Sequence, residues 1–84
     1  MKLTNEQKFN NSTIRTGVRA LQNKLLKLGE DITFEEETIR LNSKLDTELS
    51  KAKVTVAEES LFILNGMVEQ LTSCINMLES NLIK

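Results

Sequence analysis

The chain has no histidine, proline, tryptophan or tyrosine, and it has a single cysteine, Cys74. One cysteine cannot form an internal disulfide, and without histidine or a second cysteine no zinc site of the usual spacing can be assembled. The sequence also lacks a phosphate-binding loop and a nucleophile–base pair. We therefore predict no enzyme, no catalytic residue, no cofactor and no metal. Cys74 has apolar neighbours one helical turn away, and we predict that it packs rather than reacts.

Residues typical of strands and turns are also scarce. Glycine occurs three times and aromatic residues make up 4% of the 84 residues. Strand-rich domains favour β-branched and aromatic side chains and need many turn residues. The sequence predicts an all-α, single helical domain over residues 1–84. A domain this small, without a disulfide or a metal, depends on regular helix packing or on self-association.

Long apolar runs are absent too. The longest uninterrupted run covers residues 61–64, whereas a membrane-spanning helix needs about 20 apolar residues. The first residues are polar, unlike the apolar core of a signal peptide. We expect a cytoplasmic protein without a membrane span, and leaderless secretion stays open. The abundance of Asn, Lys, Ile and Thr suggests a bacterial or phage source.

The strongest pattern that is present lies in the last third of the chain. Apolar residues recur there at alternating spacings of three and four, at Val54, Ala57, Leu61, Leu64, Val68, Leu71, Ile75, Leu78 and Leu82. This heptad spacing indicates one face of a helix that packs on another helix. Thr55 and Glu58 have the spacing of a capping box. We predict a helix over residues 56–83.

A shorter heptad pattern runs through the first third of the chain, at Ile14, Val18, Leu21, Leu25, Leu28 and Ile32. Gly29 suits the left-handed position that ends many helices, and polar residues follow it. We predict a helix over residues 13–29. Residues 1–12 are expected to form an N-terminal arm or a helix extension.

The middle of the chain has a looser apolar line, at Phe34, Leu41, Leu45, Leu49 and Ala52. Thr33 precedes three glutamates, and acidic residues in a first turn stabilise the positive end of a helix dipole. We predict a helix over residues 34–51. The preferred fold is therefore a three-helix antiparallel bundle.

Two other arrangements fit the same patterns. Residues 50–55 contain no glycine or proline, so the second and third helices can be continuous, which gives a two-helix coiled-coil hairpin with a long second helix that dimerises into a four-helix bundle. Alternatively, the first helix continues through Gly29 and the chain turns at Asn42–Ser43.

Charge is distributed unevenly along the chain. Residues 1–29 have a net charge of +5, residues 30–52 of −4 and residues 53–84 of −2. Charges beside an apolar seam select a helix partner and its orientation. We predict this role for Arg15, Arg19, Lys24, Lys27, Glu35, Glu37 and Glu48. An alternative function is a nucleic-acid-binding regulator that uses the basic first helix, but no aromatic stacking platform accompanies the basic residues.

The unequal helix lengths suggest where a partner binds. In a three-helix bundle, the third helix extends beyond the turn that follows the first helix. We predict that this extension contacts another protein helix or a second copy of the chain, through Ile75, Met77, Leu78, Leu82 and Ile83. The function that we expect is a small helical interaction protein: an adaptor, a chaperone-like subunit or a regulator.

A further alternative function is a leaderless secreted helical partner protein of the type VII secretion kind. The length and the helical content of the chain suit that class. The Trp-x-Gly turn typical of the class is absent, since the chain has no tryptophan.

Overall fold

The computed structural model describes residues 2–83 and consists of two antiparallel α-helices. Helix α1 spans Asn5–Asn42 and helix α2 spans Glu48–Ser80. The two helices pack side by side along their lengths and form a rod of 66 × 14 × 13 Å. The predicted all-α class is confirmed, and the architecture is a helical hairpin.

Helix α1 begins well before the predicted residue 13. Thr4 is its N-cap: the Thr4 hydroxyl accepts a hydrogen bond from the backbone N–H of Gln7, and the Gln7 side chain accepts one from the backbone N–H of Thr4. This reciprocal capping box satisfies two N–H groups that have no partner inside the helix. Residues 5–12 are therefore helical, which agrees with the helix-extension alternative.

The predicted helix end at Gly29 is wrong. Gly29 lies inside α1, and no glycine among the described residues has a positive φ. A glycine inside a helix costs only about 1 kcal/mol relative to alanine. The apolar seam continues on both sides of Gly29, from Leu28 to Ile32 and on to Ile39, so packing on α2 outweighs that cost.

The chain reverses direction at residues 43–47 instead. Asn42 closes α1, and its side-chain Nδ2 donates to the carbonyl oxygen of Thr38 at 2.8 Å. Thr47 then caps α2, because its hydroxyl accepts a hydrogen bond from the backbone N–H of Ser50 at 3.1 Å. The three-helix bundle is thus not confirmed. The structure instead corresponds to the alternative in which the first helix continues through Gly29 and the chain turns after Asn42.

The seam between the helices holds the core. All nine residues of the heptad predicted from Val54 to Leu82 are buried or half-buried, and so are Ile14, Val18, Leu21, Leu25, Leu28 and Ile32 on α1. Among the apolar residues of the described range 2–83, only Val18, Leu28, Ala57 and Ile75 are buried. Two helices leave the flanks of the seam open to solvent, so most seam side chains are covered from one direction only.

Candidate protein interface

Large apolar side chains remain exposed outside the seam. Seven of them lie towards the turn end of the rod and are each more than half exposed; besides Leu45 in the turn and Phe62, these are Phe34, Leu41, Leu49, Val56 and Ile63. Apolar surface in water is unfavourable by about 25 cal/mol per Å². Contiguous apolar patches on a small protein usually mark contact surfaces.

These five residues share one side of the hairpin. Phe34 lines an open groove between the helices together with Val56, and it lines an adjacent groove with Ile63. Leu41 lies seven residues after Phe34 and Leu49 seven before Val56, and seven residues correspond to nearly two full turns of a helix. We call this surface the turn-end patch.

The turn-end patch belongs to a longer surface that follows the whole side of the hairpin. Seven-residue spacing extends the α1 line to Ala20, Lys27, Phe34 and Leu41, and the α2 line to Leu49, Val56, Ile63, Gln70 and Met77. We call these two lines together the side face. Five other large apolar residues are also exposed but lie outside both lines: Phe9, Leu26, Leu45, Phe62 and Ile83.

The two ends of the rod carry opposite charge. Residues 28–64, at the turn end, include nine acidic and four basic residues, a net of −5. Residues 2–27 and 65–83, at the end near the termini, include six basic and three acidic residues, a net of +3. Because the rod is 66 Å long and the screening length is about 8 Å at physiological salt, each end presents its own charge to a neighbouring molecule.

The structure separates the residues for which we predicted charge pairing. Arg15, Arg19, Lys24 and Lys27 lie on the first part of α1, Glu35 and Glu37 lie further along that helix, and Glu48 begins α2. Bases and acids on one straight helix cannot face each other across the hairpin. Their pairing with a second molecule stays a prediction.

Two ion pairs are present within residues 2–83, and neither joins α1 to α2. Arg40 pairs with Glu37 one turn away on α1, and Lys51 on α2 pairs with Asp46 in the turn at 3.2 Å. The hydrogen bond from the Arg40 guanidinium lowers the pKa of the Glu37 carboxyl and raises the pKa of Arg40. Both pairs are exposed, and pairs of this kind contribute little to stability.

The residues predicted to contact a partner near the C-terminus divide into two groups. Ile75 is buried, and Leu78 and Leu82 are half-buried, because α1 starts at Asn5 and runs beside them. Gly17 of α1 lies next to Leu78, since a Cβ atom at position 17 would be in van der Waals contact with Leu78 Cδ1 at 3.7 Å. The extension beyond the first helix, on which the prediction rested, is therefore absent from the described part of the chain. Met77 and Ile83 stay exposed, and partner binding there remains a prediction.

Asn11 forms a polar contact that the sequence analysis did not anticipate. Its side chain is 2% exposed. Its Nδ2 donates to the carbonyl oxygen of Ile83 at 2.7 Å, and its Oδ1 accepts from the backbone N–H of Ile83 at 3.0 Å. Asn11 precedes Ile14 by three residues, which continues the α1 heptad. That spacing was the only available signal of burial, since the residue type favours exposure.

The structure brings no set of reactive side chains together. No cluster of histidine, cysteine, aspartate or glutamate suited to a metal ion occurs within residues 2–83. Cys74 is exposed, so the prediction that it packs within the chain is wrong. It lies three residues before Met77, towards the end of the side face near the termini.

Helix α2 is, by length and composition, long and apolar enough to cross a membrane. The same helix carries Asn65, Glu69, Gln70 and Asn76, which are costly in hydrocarbon.

Comparisons with models of protein families, with curated proteins and with solved structures find no match for this chain.

Proposed function

We propose that this protein is a small helical interaction module, working as an adaptor, a chaperone-like subunit or a regulator, and that it binds a helix of another chain on its side face. The observation that carries the proposal is the turn-end patch, in which five large apolar side chains are each more than half exposed on one side of the hairpin. Burying a side chain of this size contributes roughly 1.5–3 kcal/mol, so covering the patch is a substantial driving force.

The mode of binding follows from the geometry of the patch. Its residues recur every seven positions along the α1 and α2 lines, and Phe34, Val56 and Ile63 border open grooves between the helices. A helix laid along such a groove inserts its own apolar residues at spacings of three and four. Charged residues on and beside the two lines, such as Lys27 on the α1 line and Lys24 and Asp31 beside it, are available to select the orientation of the partner.

The three phenylalanines of the chain allow a test with matched controls. Phe34 lies in the turn-end patch, whereas Phe9 and Phe62 are equally exposed elsewhere. We expect a photoreactive phenylalanine analogue at position 34 to cross-link to another chain in cells that make the protein, and the same analogue at positions 9 and 62 to give much less adduct. Mass spectrometry then identifies the cross-linked partner. Equal yields at all three positions, or no adduct at position 34, would overturn the proposal.

A further inference from the structure

We infer that the occupant of the side face is a second copy of this chain, packed antiparallel about a twofold axis at the level of Asp31 and Ile63. The inference rests on the proposed function, because it names the partner for the same surface. Side-by-side pairing of two hairpins forms a four-helix bundle in which every neighbouring pair of helices is antiparallel.

The side face has its own internal symmetry. Between its outermost apolar residues, the α1 line runs from Ala20 to Leu41, with a midpoint between residues 30 and 31, and the α2 line runs from Leu49 to Met77, with a midpoint at Ile63. These midpoints lie at the same level of the rod, because Asp31 and Ile63 line one groove. A twofold axis perpendicular to the rod at this level maps each line onto itself in reverse.

The contacts generated by that axis combine large side chains with smaller or flexible ones. Leu41 of one copy comes level with Ala20 of the other, Leu49 with Met77, and Ile63 with its own mate. The same axis brings Phe34 level with Lys27 and Val56 level with Gln70, whose aliphatic stems can cover the apolar side chains while their polar ends reach solvent. Large residues opposite small ones interdigitate without leaving voids. Methionine adapts its shape to an irregular gap.

Charge favours the same orientation. The turn end of one copy, with its net −5, extends towards the end of the other copy that carries the net +3. On the face itself, Lys27 comes within about a turn of Asp31 and Glu35 in the second copy, and Lys24 comes within about a turn of Glu35. A parallel arrangement places the two turn ends, both acidic, beside each other and is opposed by like charge.

The available area is sufficient for a stable dimer. In this register α2 of one copy lies beside α2 of the other over roughly 30 residues, or about 45 Å at 1.5 Å per residue. With a rod width of 14 Å, the shared strip covers about 600 Å² on each copy and about 1,200 Å² in total, which reaches the lower limit of stable protein–protein interfaces.

The first test is the solution mass of the purified chain by light scattering. The mass of one chain is 9.5 kDa, and we expect about twice that value at micromolar concentration. Val56→Asp places a charge in the turn-end patch, and we expect it to raise the dimer dissociation constant about 100-fold or more, since the change occurs twice per dimer. Thr55→Asp is the matched control, because Thr55 is exposed outside the two lines, and it should remain dimeric.

The second test measures orientation and register. Spin labels at Lys44→Cys, in a Cys74→Ser background, should lie on the order of 40 Å apart, since each is about 13 residues from the axis. Labels at Glu30→Cys, close to the axis, should lie about 20–30 Å apart on helices packed at ~10 Å. A short distance at both sites indicates a parallel dimer and overturns the inference.

The outcomes separate this inference from the proposed function. A monomeric mass at all concentrations, or a Val56→Asp variant that dimerises like the parent, overturns the second copy as occupant. Circular dichroism establishes that the variant is still helical, and Ile63→Asp provides an independent disruption of the same face. If the chain is monomeric while position 34 still cross-links to a different protein, the proposed function stands and only the identity of the occupant is wrong.

Discussion

At the scale of single residues, Asn11 has a structural role that its residue type does not suggest. A buried amide is costly unless both of its polar groups are hydrogen-bonded, and the backbone of Ile83 provides both partners. The contact fixes the end of the chain on the first turns of α1 and closes the open end of the hairpin. A buried asparagine in a coiled coil also specifies register, since it finds its partners in one alignment only.

Replacing Asn11 tests this role. We expect Asn11→Ala to lower the free energy of unfolding by about 1–2 kcal/mol, because two hydrogen bonds are lost, and to speed amide hydrogen exchange at Ile83. Urea unfolding and exchange measured by NMR check the two effects. The control is Asn10→Ala, at an exposed neighbouring position, for which we expect unchanged exchange at Ile83. A parent-like exchange rate in Asn11→Ala would show that the contact does not hold the chain end.

At the scale of helices, the position of the turn distinguishes the observed fold from the one that the sequence favours. Gly29 resembles a helix-ending glycine, with polar residues after it, yet α1 continues for 13 residues beyond it. The actual turn contains no glycine or proline. It is specified by Asn42, by Thr47 and by the loss of seam residues between them.

Whether Gly29→Ala stabilises or destabilises the protein distinguishes a position inside a helix from a position that ends one. In the interior of α1, with nothing within 4 Å of an added Cβ, Gly29→Ala should stabilise the protein by about 0.4–1 kcal/mol. If Gly29 instead occupied a left-handed cap, the same change would destabilise it by roughly 1–2 kcal/mol. Gly66→Ala is the control, because Gly66 is inside a helix in both readings and equally open. Thermal unfolding of the two variants provides the comparison.

At the scale of the whole molecule, an elongated shape follows from having two long helices and no third. The radius of gyration is 19.3 Å, against about 12 Å expected for a globular domain of this length. A rod of this kind has a large solvent-exposed surface relative to its small core, and most seam residues are only half-buried. The intact seam is therefore the main source of stability within one chain.

A charge placed in the seam should unfold the molecule. Leu71 is half-buried near the middle of the seam on α2. We expect Leu71→Asp to cost about 3 kcal/mol or more, a large part of the roughly 4–12 kcal/mol expected for a chain of 84 residues. Circular dichroism should show a large loss of helix at 25 °C or a much lower melting temperature. Thr72→Asp, at an exposed neighbouring position outside the seam and the side face, should retain the helix, and equal behaviour of both variants would contradict a seam-based fold.

The sequence alone determined the helical class and the seam, because heptad spacing is a local property of the chain. All nine predicted seam residues from Val54 to Leu82 lie where the spacing placed them. The turn-end patch was partly visible as well, since Phe34 and Leu41, and Leu49, Val56 and Ile63, recur every seven residues. The prediction placed Phe34, Leu41 and Leu49 in a middle helix and Val56 and Ile63 in a third helix, and so missed that the five share one surface.

Only the tertiary structure decided where the chain turns and which side stays uncovered. A glycine inside a helix costs only about 1 kcal/mol relative to alanine, and packing α1 along the full length of α2 outweighs that cost at Gly29. The burial of Asn11 and the exposure of Cys74 follow from this pairing of residues far apart in the chain. Such pairings depend on the global arrangement of the helices, which the spacing of residues along one helix does not specify.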